Sequence, residues 1–453
     1  MLFCRYHSFF CALIFICIAS VSCSKKSDSG NESIEKNTDK EVVIAPENRL
    51  PQVILNTNGE SIPDEPKIDA TMVIEKQGVV VYEGNIAIEI RGQSSQMFPK
   101  KQYGFEIRDE NNKGIDVSLL ELPEEEDWIL HAPYSDKSLI RNALIYDLSR
   151  SIGRYTSRFR FVELILNDSN EGLYILMEKL KRDNNRIDIN KLKESENEGE
   201  DLTGGYILKI DKNNQYNDSN SFISSVAPHS RILFDTPDDE DITQEQRNYI
   251  STYVHDFETA LAADNFTDPA QGYGPYIDSD SFIDFFLLNE LSNNVDGFRL
   301  STWVVKDKNK PLSMGPIWDF NLAFGNADYC RGGDYNVWAY RFNERCPSDR
   351  WQIPFWWHRL LEDPAWLSQV QARWNDLRGA EFSETEIHRK IDEYVTLLTA
   401  SGSSKSNFTR WQVLNEYVWP NNYVGGTYEM EIFYLKEWIS NRLQWLDENI
   451  MNL

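Results

Sequence analysis

The chain has 453 residues, of which 41% are hydrophobic and 13% aromatic, with 13 Trp. That is ample for a sizeable core, in one large two-lobed domain or two domains, and it excludes a disordered chain. The formal net charge of −26 excludes non-specific nucleic-acid binding, which needs a basic footprint, and electrostatic docking on anionic lipid.

The N-terminus reads as a targeting segment. Arg5 and His7 precede an apolar run from Phe9 to Ile18, then small residues and Ser22-Cys23. This is the pattern of a secretory signal over residues 1–22, and the run is too short for a comfortable membrane span. Ala19-Ser-Val-Ser-Cys23 resembles a loose bacterial lipobox, with Ser20 where Leu is usual. It predicts cleavage before Cys23 and lipidation of its thiol. The product would be an exported lipoprotein in the bacterial cell envelope, facing the periplasm or the cell surface, with membrane contact through the lipid alone. Cleavage without lipid is the competing reading. Residues 23–50 are polar and read as a flexible tether, with the folded body over 51–453. Cys4, Cys11 and Cys17 would leave with the signal, so Cys330 and Cys346 remain, either paired or as reduced buried thiols.

Within the body, Ala87–Arg91 and Gln102–Ile107 alternate as strands, joined by the loop Gly92–Pro99. Leu139, Ile140, Leu144, Leu148 and Ile152 have helical spacing and predict a helix over about Lys137–Ile152. Phe161–Leu166 and Gly172–Met177 predict a hairpin turned by Asn167-Asp-Ser-Asn170. The later part reads as mainly helical, ending in an amphipathic helix marked by Ile432, Leu435, Ile439, Leu443 and Leu446. A β-rich front and an α-rich back predict an α+β body of two lobes. The acidic stretches Glu194–Asp201 and Asp238–Asp241 read as solvated loops.

Two segments carry candidate chemistry. Asp296 sits in a Gly-containing loop before the strand-like run to Lys306. Asp319 sits in Gly315-Pro-Ile-Trp-Asp-Phe-Asn-Leu-Ala-Phe-Gly325, with Asn321 two residues on. Phosphoryl transfer needs one group to take or orient the nucleophile's proton and another to hold a metal on the phosphates. Two carboxylates on adjacent loops suit those roles, and Asp319 with Asn321 offers the oxygen ligands Mg²⁺ prefers. Taken alone, such carboxylates more often cap or turn the chain.

Ordered blocks add to this pattern. Arg91-Gly-Gln-Ser-Ser95 with Pro99-Lys-Lys-Gln-Tyr103, then Asp127–Asn142, Gly172–Glu178, Gly204-Gly-Tyr-Ile-Leu-Lys-Ile-Asp211 and the Asp296 and Asp319 segments together resemble the CotH family. These are kinase-like proteins named for spore coat protein H. The resemblance runs from about Pro51 to the end. It implies an atypical protein-kinase-like fold with a β-rich N-terminal lobe and a mainly helical C-terminal lobe. The implied activity is transfer of phosphate from ATP or another nucleotide to Ser or Thr of a protein substrate, with Mg²⁺ or Mn²⁺. On it, Asp296 matches the catalytic-loop Asp and Asp319 the metal-binding Asp. Gly92, Ser94 and Ser95 would lie over the phosphates, and Lys101 would contact them, since it shares strand parity with Tyr103 and Phe105. Lys100 is the rival, as a solvated edge lysine. Arg91 is a phosphate clamp or a surface ion-pair partner. Glu178 ends the hairpin where a kinase hinge begins, in a nucleotide, metal or structural role.

The chain departs from the family pattern at Leu300 and Ser301, where many members have His-Asn, and at Asn321, where many have a second Asp. Ser301 would ligate through its hydroxyl. The departures leave two functions open: an exported kinase, or a non-catalytic surface protein for binding or assembly. Zinc-protease, α/β-hydrolase and Walker-type motifs are absent from the sequence. His131 reads as a satisfied core histidine, and Trp356, Trp357 and Trp366 as core in preference to a carbohydrate platform.

Overall fold

The computed structural model describes residues 48–212, 220–224, 226 and 230–453. The expected signal, the Cys23 lipidation site and all but the last residues of the expected tether lie outside them. The described residues belong to one compact unit.

Seven strands form a closed barrel: β1 (Gln52–Asn56), β2 (Ile68–Lys76), β3 (Val79–Arg91), β4 (Gln102–Arg108), β5 (Asp127–His131), β6 (Phe159–Leu166) and β7 (Ser169–Glu178). Their order is β1-β2-β3-β4-β5-β7-β6. All neighbours are antiparallel except at the closure, where β1 runs parallel to β6 from Gln52↔Glu163 to Leu55↔Leu166. Strand alternation makes the interior: Val53, Leu55, Met72, Ile74, Ile86, Ile88, Tyr103, Phe105, Trp128, Leu130, Val162 and Leu176 pack into one cluster. Asn167 and Asp168 both take positive φ between β6 and β7, as a two-residue hairpin turn demands.

The other faces of β5 and β7 meet helix α1 (Arg141–Ser151) through Ile129, Ile175 and Met177, which join a larger core. That helix starts later than its apolar spacing predicts, at Arg141 and not near Lys137. Leu139 has φ 68°, and Asp136 receives the N–H groups of Ser138 and Arg141, so a capped turn precedes the helix.

The rest of the chain builds a five-stranded antiparallel sheet and a helical mass. The strands are β8 (Tyr206–Ile210), β9 (Ser221–Ile223), β10 (Arg231–Thr236), β11 (Thr302–Lys306) and β12 (Leu312–Met314), ordered β12-β11-β8-β10-β9. The helices are α2 (Gln244–Ala262), α3 (Ser279–Ser292), α4 (Phe342–Arg345), α5 (Trp356–Leu361), α6 (Pro364–Arg378), α7 (Glu384–Ala400), α8 (Ser403–Arg410) and α9 (Tyr428–Asn449). Twelve of the fourteen residues of α3 are buried, which makes it the central helix. Its Glu290 pairs with Arg442 of α9 at 3.0 Å, both side chains fully buried, and Arg442 also donates to the carbonyls of Glu290, Tyr335 and Val337. Trp356, Trp357 and Trp366 are each about 1% exposed, Trp356 packing on Phe257 and the other two on Phe282, Phe285 and Phe286, so they are core and offer no platform.

The chain is therefore a mixed α+β protein. Its front is a closed barrel, and its mainly helical back carries a second sheet.

Candidate functional site

The Asp319 loop is held from below by α1. The N–H of Asp319 donates to Tyr146 Oη at 3.1 Å, and that of Phe320 to Asn142 Oδ1 at 2.7 Å. Arg141 Nε donates to the Ala323 carbonyl at 3.1 Å, while its Nη1 pairs with Asp136 at 2.6 Å in a buried ion pair. Asp319 itself has φ 63°, a left-handed backbone that Asp tolerates better than most residues.

Asp296 comes from the segment between α3 and β11. Asn293 ends α3 in the left-handed conformation (φ 42°) and the chain turns back. Arg299, itself buried, donates to Asp296 Oδ1 at 2.9 Å and to Asp349 Oδ1 at 3.2 Å, and its guanidinium lies 3.9 Å from the Phe342 ring centre. Tyr329 Oη donates to the same Asp296 oxygen at 3.3 Å and stacks on Trp419.

Both carboxylates open on one cavity of about 330 Å³. Its other walls include Arg91, Gly92, Ser94 and Ser95 from the end of β3 and its loop, with Ser301 and Asn321 beside the acids. Gly92 has φ +97°, and a Cβ there would lie 2.2 Å from Ser95 Oγ, so the loop requires glycine. Ser94–Met97 is a single 3₁₀ turn whose first N–H groups take no part in its own hydrogen bonds. Arg91 lies with its guanidinium 5.6 Å from the Trp318 ring centre.

The cavity sets the charge of its lining. Asp319 is open to it yet ringed by protein. That enclosure, with the charges of Asp296 and Asp211, pushes its carboxyl up to about 6 against the pull of Arg91 and Lys209. Burial, with Arg91 nearby, lowers His131 to about 3, so its ring is neutral. It hydrogen-bonds Gln102 at 2.8 Å and Asn142 at 3.2 Å, a satisfied histidine on the cavity wall.

A family model described as CotH kinase protein matches residues 88–446. The chain belongs to the CotH family. No curated protein matches the chain significantly. The CotH match spans both carboxylate segments, the β3–β4 loop and α1, so everything that shapes the cavity lies inside it.

Two residues singled out in the sequence, Lys101 and Glu178, stand apart from this CotH cavity. Lys101 precedes β4, which begins at Gln102, so strand parity does not apply to it. Its Nζ donates to the Gln96 carbonyl at 2.5 Å, back into its own loop. Its rival Lys100 is no solvated edge lysine: it is 2% exposed and donates to Asn407 Oδ1 at 2.7 Å, joining the barrel to α8. Glu178 is fully buried, and its carboxylate is taken by Arg158 Nη2 at 2.6 Å, the Arg158 N–H and Tyr155. Lys209 and Asp211, which the sequence places in a family block without a role, line the cavity. Their signal was present as two charges at alternate positions closing an apolar strand.

Cys330 and Cys346 form a disulfide with Cα atoms 5.6 Å apart, beside the Tyr329 wall. Closing a loop of this length stabilises by about 3 kcal/mol in the chain-entropy view. Cys346→Ser is expected to cost about that in urea denaturation, and reductant is expected to lower the wild type alone.

The raised Asp319 pKa has a stability consequence in the metal-free protein. A carboxyl raised on folding contributes stability that is full below its ordinary value near 4 and is lost as pH rises through about 6. Asp319→Asn is therefore expected to stabilise the chain at neutral pH. The full shift corresponds to about 3 kcal/mol, and water in the open cavity reduces it to about 1 kcal/mol. Denaturation in chelator at pH 7.5 and pH 4.5 checks this, with the difference expected to shrink at the lower pH.

Proposed function

We propose that the protein is a CotH-type phosphotransferase, moving the terminal phosphoryl group of ATP or a similar nucleotide to a Ser or Thr of a protein substrate. The observation that carries this reading is that Asp296 and Asp319 line one cavity together with Arg91 and the Gly92–Ser95 loop. Asp296 would accept or orient the hydroxyl proton, with Arg299 and Tyr329 holding one of its oxygens so that the other faces the substrate. The Ser94 and Ser95 N–H and hydroxyl groups would receive phosphate oxygens.

Asp319, Asn321 and Ser301 fit a hard cation. All three offer oxygen to the cavity, and among the described residues none has its side chain engaged by a hydrogen bond. A bound Mg²⁺ or Mn²⁺ would neutralise phosphate charge there. In this reading the barrel and the sheet-and-helix back act as the two lobes of a kinase-like fold, with the cavity between them. Export as a lipoprotein belongs to the same proposal, and the Cys330–Cys346 disulfide supports an oxidising compartment.

A second reading, a binding or assembly protein without catalysis, is favoured by one observation. Leu300 is buried and Asn321 offers the cavity a neutral amide, where the family resemblance leads one to expect a His and a second Asp. Incubation of the purified protein with labelled ATP and Mg²⁺ or Mn²⁺ separates the two. Transfer lost in Asp319→Asn is the expected result. Nucleotide bound under neither metal would overturn the kinase reading.

A further inference from the structure

A phosphate chain in the cavity needs a cation, and several basic side chains near it are already engaged. Arg299 is committed to Asp296 and Asp349. Lys100 and Lys101 point elsewhere. Lys212, also on the cavity, lies over the Trp351 ring at 5.3 Å. Among the described cations that line the cavity, Arg91 on the barrel wall and Lys209 on β8 are the two whose charges act on Asp319.

Lys209 is built into its place. Leu208 and Ile210 are buried on one face of β8, so Lys209 projects from the other. Its backbone partner on β11 is Trp303, and its Nζ stands 4.8 Å from that indole ring centre. Asp211, the residue just past the end of β8, holds the Nζ at 2.6 Å. Both side chains line the cavity with Asp319, and the charge of Lys209 is felt at that carboxylate. A lysine kept extended by a carboxylate and an aromatic face loses little freedom when an anion arrives.

We propose that Lys209, positioned by Asp211 and Trp303, is the phosphate-contacting lysine of this protein. Arg91 lines the same cavity, so that the barrel and the second sheet would each give one cation to the nucleotide's phosphates. The inference rests on the nucleotide-binding reading given above. It makes Asp211 a positioning residue.

The experiment is calorimetric titration of the purified protein with ATP and with adenosine, in the presence of Mg²⁺. Lys209→Met is expected to weaken ATP binding about 10- to 100-fold, the range for a charge-assisted hydrogen bond, and to leave adenosine binding unchanged. Lys209→Arg, which keeps the charge, is expected to recover most of the ATP affinity, and Lys101→Met to behave as wild type. Thermal denaturation of each variant separates a folding defect from a binding one. ATP affinity retained in Lys209→Met, or ATP and adenosine weakened together in the folded variant, would overturn the assignment of Lys209 alone. A wild-type protein that binds neither ligand would overturn the nucleotide reading and this inference with it.

Discussion

Asp296→Asn is expected to slow phosphoryl transfer about 10²- to 10⁴-fold, the contribution of a positioned general base, while nucleotide affinity stays close to wild type. The separation follows from the geometry. The amide oxygen of the substituted side chain would still accept from Arg299, so the loop between α3 and β11 keeps its anchor. What is lost is the negative charge and the capacity to take a proton. Single-turnover transfer alongside nucleotide titration tests this. A rate within about tenfold of wild type would show that Asp296 is not the proton acceptor. Loss of binding in parallel with rate would place it among the metal-holding groups.

Arg141→Met is expected to cost about 3–5 kcal/mol, the range for removing one partner of a buried ion pair. Arg141 and Asp136 are 1% and 3% exposed, so the charge left on Asp136 would have no water to replace its partner. The same substitution removes the donors to the Ala323 and Phe324 carbonyls. It therefore loosens the loop that presents Asp319, and metal affinity is expected to fall with stability. Adding Asp136→Asn is expected to recover part of the stability, because the stranded charge is gone, and none of the metal affinity. Urea denaturation and Mn²⁺ titration of the single and double variants read the two effects separately. Recovery of both would locate the defect in the ion pair alone.

Local pattern carried much of the fold. The alternation of Gln102–Ile107 and the spacing of Ile432–Leu446 appear as β4 and α9, because each buries one face against a continuous core. Barrel closure was not legible. It depends on β1 pairing with β6, and the pairing of short strands far apart in sequence leaves no local trace. The start of α1 was misread because Leu139 and Ile140 are apolar for burial, not as helix positions. At the site, Asp296 and Asp319 stood out because each interrupts an apolar or Gly-containing stretch, and the ordered family blocks gave them roles. Lys101 was assigned by extending strand parity one residue beyond the strand. Glu178 was assigned by its place in the hairpin, yet Arg158 and Tyr155 claim its carboxylate. Lys209 and Asp211 stand inside one of the family blocks with no role given to either, because the cavity they share with Asp319 is completed by residues much later in the chain.

The parallel closure of the barrel has a kinetic consequence. β1 can pair with β2 early, but it cannot find its second partner until the chain has reached β6, a separation on the scale of the 110 residues between Thr57 and its bonding partner Asn167. Until that loop closes, β6 presents an unpaired edge rich in Phe, Val, Ile and Leu, the kind of surface that invites pairing with other chains. Non-local pairing of this sort slows folding. Closure between β1 and β6 is thus expected to be a late event, and the period before it the time when the nascent protein is most prone to aggregate.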